Sequence, residues 1–120
     1  MAEIKKAGVV GAGMMGAEIA LCFAMAGIEV AIKDIRMDLA KAGVDRASKA
    51  LDKLIKKGQF DGLKKDATLS LMKASDSYEA FRDADFIAEA VADDLHVKRQ
   101  TFAELDKICK SQCLFSSNTS

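Results

Sequence analysis

Between Val10 and Ala17 the chain reads Gly11-Ala12-Gly13-Met14-Met15-Gly16, and this spacing of glycines limits the possible folds more than any other stretch. A lone G-x-G-x-x-G arises by chance. Here it directly follows the apolar run Ala7-Gly8-Val9-Val10 and opens a helix-forming stretch from Met14 to Ala26, which is the context in which the pattern has a mechanism. Gly11 permits a tight turn, and Gly13 lets the backbone approach a diphosphate with no Cβ in the way. Gly16 lets the helix pack close to the strand. Ala12, Met14 and Met15 complete a loop whose free N–H groups, with the positive end of the helix dipole, favour a bound anion.

The pattern downstream repeats the alternation of strand and helix. Gly27 is a helix stop, and Val30-Ala31-Ile32 reads as a second buried strand closing at Asp34. Joints this short require a right-handed parallel crossover. A second helix is predicted over Met37 to Lys57, with Val44, Ala47, Leu51, Leu54 and Ile55 as its inward stripe and Gly58 as its stop. A shorter helix near Lys64 to Met72, a weak strand at Lys73 to Ser75 and a helical turn at Tyr78 to Phe81 come next. Phe86 to Ala90 is a further strand. Asp93 or Asp94 caps a helix from Leu95 to Lys110, with Thr101, Leu105 and Ile108 inward, and Leu114 to Ser116 is a last strand before the loop Ser117 to Ser120. The expected architecture is α/β: one Rossmann-type domain over residues 1–120, a doubly wound, mainly parallel sheet with helices on both faces. Such sheets bind ligands beyond the carboxyl ends of their strands, where the strand order switches. That directs attention to Gly11–Gly16, Asp34 onward, Ala90–Asp94 and Ser117–Ser120.

Asp34 follows Gly16 by 18 positions and ends the second strand. An acidic residue there accepts hydrogen bonds from adenosine ribose hydroxyls and repels a 2′-phosphate, so NAD is expected rather than NADP. Arg36 argues the other way, because a nearby arginine can accommodate that phosphate. On the second helix, Arg46, Lys49, Lys53, Lys56 and Lys57 gather on one side, either as a solvated face or as a dock for a phosphorylated substrate tail.

Composition excludes more than it identifies. Eighteen Lys plus Arg balance eighteen Asp plus Glu, which gives no sign of a nucleic-acid or membrane-surface partner. From Ala7 to Ile28 only Glu18 is charged, but glycines interrupt the run, so it is expected to be buried core rather than a membrane span. The start, MAEIKK, carries no cleavage-site signature. Cys22, Cys109 and Cys113 lack the spacing of a metal site, and none is expected; Cys22 is expected to be a buried free thiol. Three reduced thiols fit a reducing compartment, with the cytoplasm expected and a mitochondrial matrix or peroxisome still open. His96, the single histidine, has no triad or metal partners nearby and is expected on the surface.

Taken together, KAGVVGAGMMGAEIA, the strand ending in KDI, the KKG after the second helix, DADFIAEAV, and FAELDKICK running into SSNTS resemble the N-terminal domain of 3-hydroxyacyl-CoA dehydrogenases, including 3-hydroxybutyryl-CoA dehydrogenases. The resemblance spans essentially the whole chain. It implies an oxidoreductase of fatty-acid metabolism, including β-oxidation, that oxidises the 3-hydroxyl of an acyl-CoA to a ketone with NAD as hydride acceptor. By resemblance, Gly11–Gly16 and Asp34 hold the adenosine diphosphate half. Asp93 and Lys98 meet the nicotinamide-ribose side, with Asp93 one methylene shorter than the usual glutamate. Asn118 and Ser120 match the SNTS loop, whose last serine lies near nicotinamide and the substrate hydroxyl and supports catalysis. Lys57 matches a lysine that contacts coenzyme A, and Ala50 stands where some relatives place a serine. The family's catalytic histidine and its orienting glutamate lie beyond that loop, as does the helical domain that closes over substrate and makes a homodimer. His96 does not take the histidine's place. The 120 residues are therefore expected to bind NAD and to turn over little alone. Two other readings stay open: an NAD(H)-sensing module, and the Rossmann domain of another hydroxy-acid or imino-acid dehydrogenase.

Overall fold

A short apolar run cannot bury itself, and in the computed structural model, which describes residues 3–91 and 94–117, these runs line up as one parallel sheet. In chain order the elements are β1 (Lys6–Val10), α1 (Met14–Met25), β2 (Glu29–Lys33), α2 (Met37–Lys56), a 3-10 turn (Gly62–Lys64), α3 (Lys65–Ser70), β3 (Met72–Ser75), a 3-10 turn (Tyr78–Phe81), β4 (Phe86–Glu89), α4 (Leu95–Ile108) and β5 (Leu114–Ser117). The strand order is β3-β2-β1-β4-β5, the expected doubly wound arrangement. Pairing sets Ser75, Lys33, Val10, Glu89 and Ser117 side by side across the sheet. That row is the carboxyl edge, and the order switches between β1 and β4.

Two cores follow from the alternation of side chains along the strands. On one face Ala7, Val9, Val30 and Ile32 pack with Ala17, Ala20, Leu21 and Ala24 of α1 and Ala47 and Leu51 of α2. On the other, Val10 and Ile87 pack with Phe81 and with Leu105 of α4. Gly8 makes this second core possible, since a Cβ there would stand 2.4 Å from Phe81 and 2.7 Å from Ile87. Burying Phe81, Ile87 or Leu105 stabilises the fold by about 1.5–3 kcal/mol each. Thr101 is buried too, and its hydroxyl donates to the Val97 carbonyl at 2.8 Å.

Three expectations need correction. The helix expected near Lys64 to Met72 runs only from Lys65 to Ser70, with Met72 already in β3, and ahead of it Asp61 accepts from the Leu63 amide and starts a 3-10 turn. The fourth helix stops at Ile108, not Lys110, where Cys109 takes extended backbone. The stretch from Ala7 to Ile28 is not wholly buried: Met14, Met15, Glu18 and Cys22 lie exposed on the outer side of α1. An almost uniformly apolar helix has no periodicity from which its buried side can be read. Cys113 is the buried thiol, and burial pushes its pKa up to about 12. Among the described residues no helix is long and apolar enough to cross a membrane.

Asp85 ties three parts of the fold together. Its Oδ2 accepts from the Lys5 and Lys6 amides at 2.8 and 3.1 Å, and its Oδ1 accepts from Lys110 Nζ. The Lys110 bond first, and the two amides next, hold this carboxyl far below the usual carboxylate range. A pKa lower in the folded than in the unfolded chain gives stability that is complete above the unfolded value and lost as pH falls toward the folded one. Melting temperature should accordingly fall as pH drops from about 5 to 2. Asp85→Asn should melt lower at neutral pH and respond less to acid over that range. Circular-dichroism melts of both proteins check this, and an equal acid response would exclude Asp85 as the source.

Candidate cofactor site at the switch in strand order

The carboxyl end of β1 turns sharply at Gly11, whose φ of +104° favours glycine. Its amide donates to the Lys33 carbonyl at 2.8 Å, and a Cβ on it would stand 2.6 Å from the Ala90 carbonyl oxygen. Gly16, in the first turn of α1, lies closer still: a Cβ would fall 1.8 Å from the Gly11 carbonyl oxygen. Gly13 is the opposite case, exposed, with nothing within 4 Å of an added Cβ. Two of the glycines thus weld helix to turn, and the third leaves room beside it.

That room adjoins the start of α1. Gly13 caps the helix without a side-chain hydrogen bond, so the first-turn amides have no side-chain acceptor. At α4 the equivalent donors are closed, because Asp94 accepts from the amides of His96 and Val97 at 2.8 and 3.2 Å. Of the two long helices that begin beside the switch, α1 is the one left open to an anion. Asp94, rather than Asp93, is the cap.

Asp34 is bound into the same loop. Its Oδ2 accepts from the Ala12 amide at 2.9 Å and its Oδ1 from the Ile35 amide at 2.7 Å. Each carboxylate oxygen can accept a second bond, so two ligand hydroxyls can be met by a carboxylate already fixed in place. Arg36 turns toward Asp38, with Nε donating at 3.0 Å on the exposed surface.

Ala12 is also held from α2. Arg46 Nη1 donates to its carbonyl at 2.8 Å, and a Cβ on Gly43 would come within 2.7 Å of the Ala12 Cβ. The sequence reading missed both contacts. A glycine inside a helical pattern costs about 1 kcal/mol relative to alanine, and that cost was the available signal of a packing reason.

On the far side of the switch stands a group the sequence reading placed only within a strand. Glu89, wholly buried, accepts from Lys98 Nζ at 3.0 Å on both oxygens, from Ser117 Oγ at 2.7 Å and from the Val91 amide at 2.7 Å. Burial opposes its charge, but the bonds from Ser117, Lys98 and Val91 and the lysine charge outweigh that and lower its pKa. A carboxylate within the buried run Phe86–Ala90 had to have such partners, though the sequence could not name them. Lys98, which the resemblance puts on the nicotinamide-ribose side, is buried and paired with Glu89. Asp93, Asn118 and Ser120 lie outside the described residues.

Comparison with known proteins decides the family. Residues 6–120 match the model of the 3-hydroxyacyl-CoA dehydrogenase, NAD binding domain. The chain belongs to that family. It is 37% identical over 118 residues to a glyoxysomal fatty acid beta-oxidation multifunctional protein of Brassica napus, covering 98% of this chain and 16% of that one. Among solved structures, FadB2 of M. tuberculosis matches with a TM-score of 0.94 and 35% identity, over 99% of this chain and 42% of that chain. The (S)-3-hydroxybutyryl-CoA dehydrogenase PaaH1 of Ralstonia eutropha matches at 0.92 and 33%, over 98% and 42%. The chain therefore spans about a sixth of the multifunctional relative and under half of the two solved proteins.

In this NAD-binding domain the basic side of α2 forms one wall of a groove of about 590 Å³ against α1. Arg46, Lys49, Lys53 and Lys57 line it above Leu21, Met25, Ala50 and Leu54. Lys56, expected with the other cations, is not part of that lining, as one residue along a helix turns the side chain by about 100°. His96 is exposed at the start of α4, as expected.

Gly43→Ala would push α2 off Ala12 and should destabilise the domain by about 1–3 kcal/mol, the usual cost of overpacking. Urea denaturation measures it, and a change within experimental error would mean that α2 can slide without cost.

Proposed function

We propose that these residues hold NAD for a 3-hydroxyacyl-CoA dehydrogenase within a longer protein. The observation that carries this is the open start of α1 beside Gly13, with Asp34 tied to the same loop through the Ala12 amide. The diphosphate would lie against Gly11–Gly16, the adenosine ribose on Asp34, and the nicotinamide ribose toward Asp93 and Lys98. Asn118 and Ser120 would flank the nicotinamide, Ser120 also meeting the substrate hydroxyl. When bound, NAD supplies the hydride acceptor for oxidation of a 3-hydroxyacyl-CoA. The Asp34 carboxylate, with Arg36 engaged by Asp38, supports NAD over NADP.

Lys57 suits coenzyme A, since cationic side chains above an apolar floor match a phosphorylated ligand with an apolar tail. A helical domain elsewhere in the longer protein would supply the general base, close the substrate side and pair two subunits. Three free thiols suit a reducing compartment such as the cytoplasm. Loss of a general base alone removes about 10²–10⁴-fold in rate, so the 120-residue chain should turn over a 3-hydroxyacyl-CoA at a small fraction of a complete enzyme's rate. Full steady-state turnover would overturn that.

Calorimetric titration tests the cofactor assignment. NADH should bind more tightly than NADPH, and Asp34→Ala should weaken NADH by about tenfold or more, the loss expected for hydrogen bonds to a charged group. Equal affinity for both dinucleotides, unchanged in the variant, would refute the role given to Asp34.

A further inference from the structure

Glu89 is the one wholly buried carboxylate among the described residues, and it sits at the carboxyl edge beside the switch in strand order. A carboxylate offers about four lone-pair positions. Glu89 fills four: Oε1 takes Lys98 Nζ and Ser117 Oγ, and Oε2 takes Lys98 Nζ and the Val91 amide. With its capacity taken up inside the protein, it is not suited to accept a proton or a hydroxyl from a ligand. What it does instead follows from where its donors come from. Lys98 is on α4, Ser117 ends β5 directly before residues 118–120, and Val91 follows β4. The resemblance puts Lys98 itself, Asp93 two residues past Val91, and Asn118 and Ser120 just past Ser117 on the nicotinamide side.

We infer that Glu89 is a positioning residue for the nicotinamide half of the cofactor, holding the Lys98 ammonium and the Ser117 hydroxyl in one arrangement. This rests on the role proposed above for Lys98. An ammonium carries three N–H groups; two bonds to Glu89 aim the head and leave a third that Glu89 does not take. Lysine has a long, flexible stem, and a hydroxyl of the ligand gains most when that stem is already fixed. Glutamine cannot replace the acid. Its amide nitrogen would present a donor to donors on one side of the group, and the remaining carbonyl would face the ammonium without a charge.

The test uses the whole chain and three ligands: NADH, ADP-ribose and ADP. ADP lacks the second ribose, so its affinity reports the diphosphate and adenosine contacts only. Glu89→Gln and Lys98→Met should each weaken NADH and ADP-ribose by about tenfold or more, as for loss of a charge-assisted bond, with ADP changed by less than about twofold. In the Lys98→Met background, Glu89→Gln should add little, because the acid acts through the lysine. A purely structural role would instead weaken all three ligands together, and would be additive with Lys98→Met; either result overturns the inference. An effect of Lys98→Met with none of Glu89→Gln on the NADH-to-ADP affinity ratio also overturns it while sparing the role of Lys98. No effect of Lys98→Met on NADH removes that role and the inference with it. If Glu89→Gln does not fold, Ser117→Ala decides, since it takes one bond from Glu89 and leaves no charge unpaired. The inference expects NADH to weaken several-fold with ADP unchanged, and an unaltered NADH affinity overturns it.

Discussion

Gly16 presents only hydrogen to the Gly11 carbonyl oxygen, and the nearness of that approach sets the geometry of the whole carboxyl edge. A side chain at either position would lift α1 from the end of β1 or drive the turn into Ala90. With both absent, the helix starts within van der Waals contact of the strand it follows. Its unpaired amides then lie at the switch in strand order between β1 and β4. The Ala12 amide reaches Asp34, and the Ala12 carbonyl reaches Arg46. One tightly packed turn thereby fixes β2 and α2 relative to the helix start. Backbone amides oriented by packing need no further ordering when an anion arrives, which lowers the cost of binding.

The two sides of the switch are built on different physics. On the β2 side Asp34 is half-buried and keeps acceptor capacity for a ligand. On the β4–β5 side the acid is fully buried and its capacity is consumed within the protein. Removing one partner from such a buried pair typically costs about 3–5 kcal/mol, because the other is left charged and unpaired. The first arrangement is suited to contact, the second to holding other groups in place.

The third feature is the groove between α1 and α2, which joins apolar surface from both helices to Glu18 of α1 and the cations of α2. Neither helix alone supplies its apolar floor and its walls. The outer face of α1 looked like core because nearly every residue on it is apolar, and the lysines of α2 could be read either as a solvated face or as a dock. Only their juxtaposition makes a concave, two-character surface.

Strand and helix positions were legible in the sequence because apolar runs broken by glycines leave few alternatives, and the glycine hexapeptide located the turn, its open helix start and Asp34. The same hexapeptide, with the motifs downstream, was enough to point to the family. The sequence could not tell which side of a uniformly apolar α1 would be buried, so Cys22 was misplaced. Nor could it show that Gly43 is a contact point, that Arg46 holds the glycine loop, or that Glu89, Lys98 and Ser117 meet. These depend on register between strands that are distant in the chain. A one-residue shift of β4 against β5 would send Glu89 to the opposite face from Ser117. Local pattern determines which elements form and where the backbone must turn; the partners of a buried charge are decided only when the sheet is assembled.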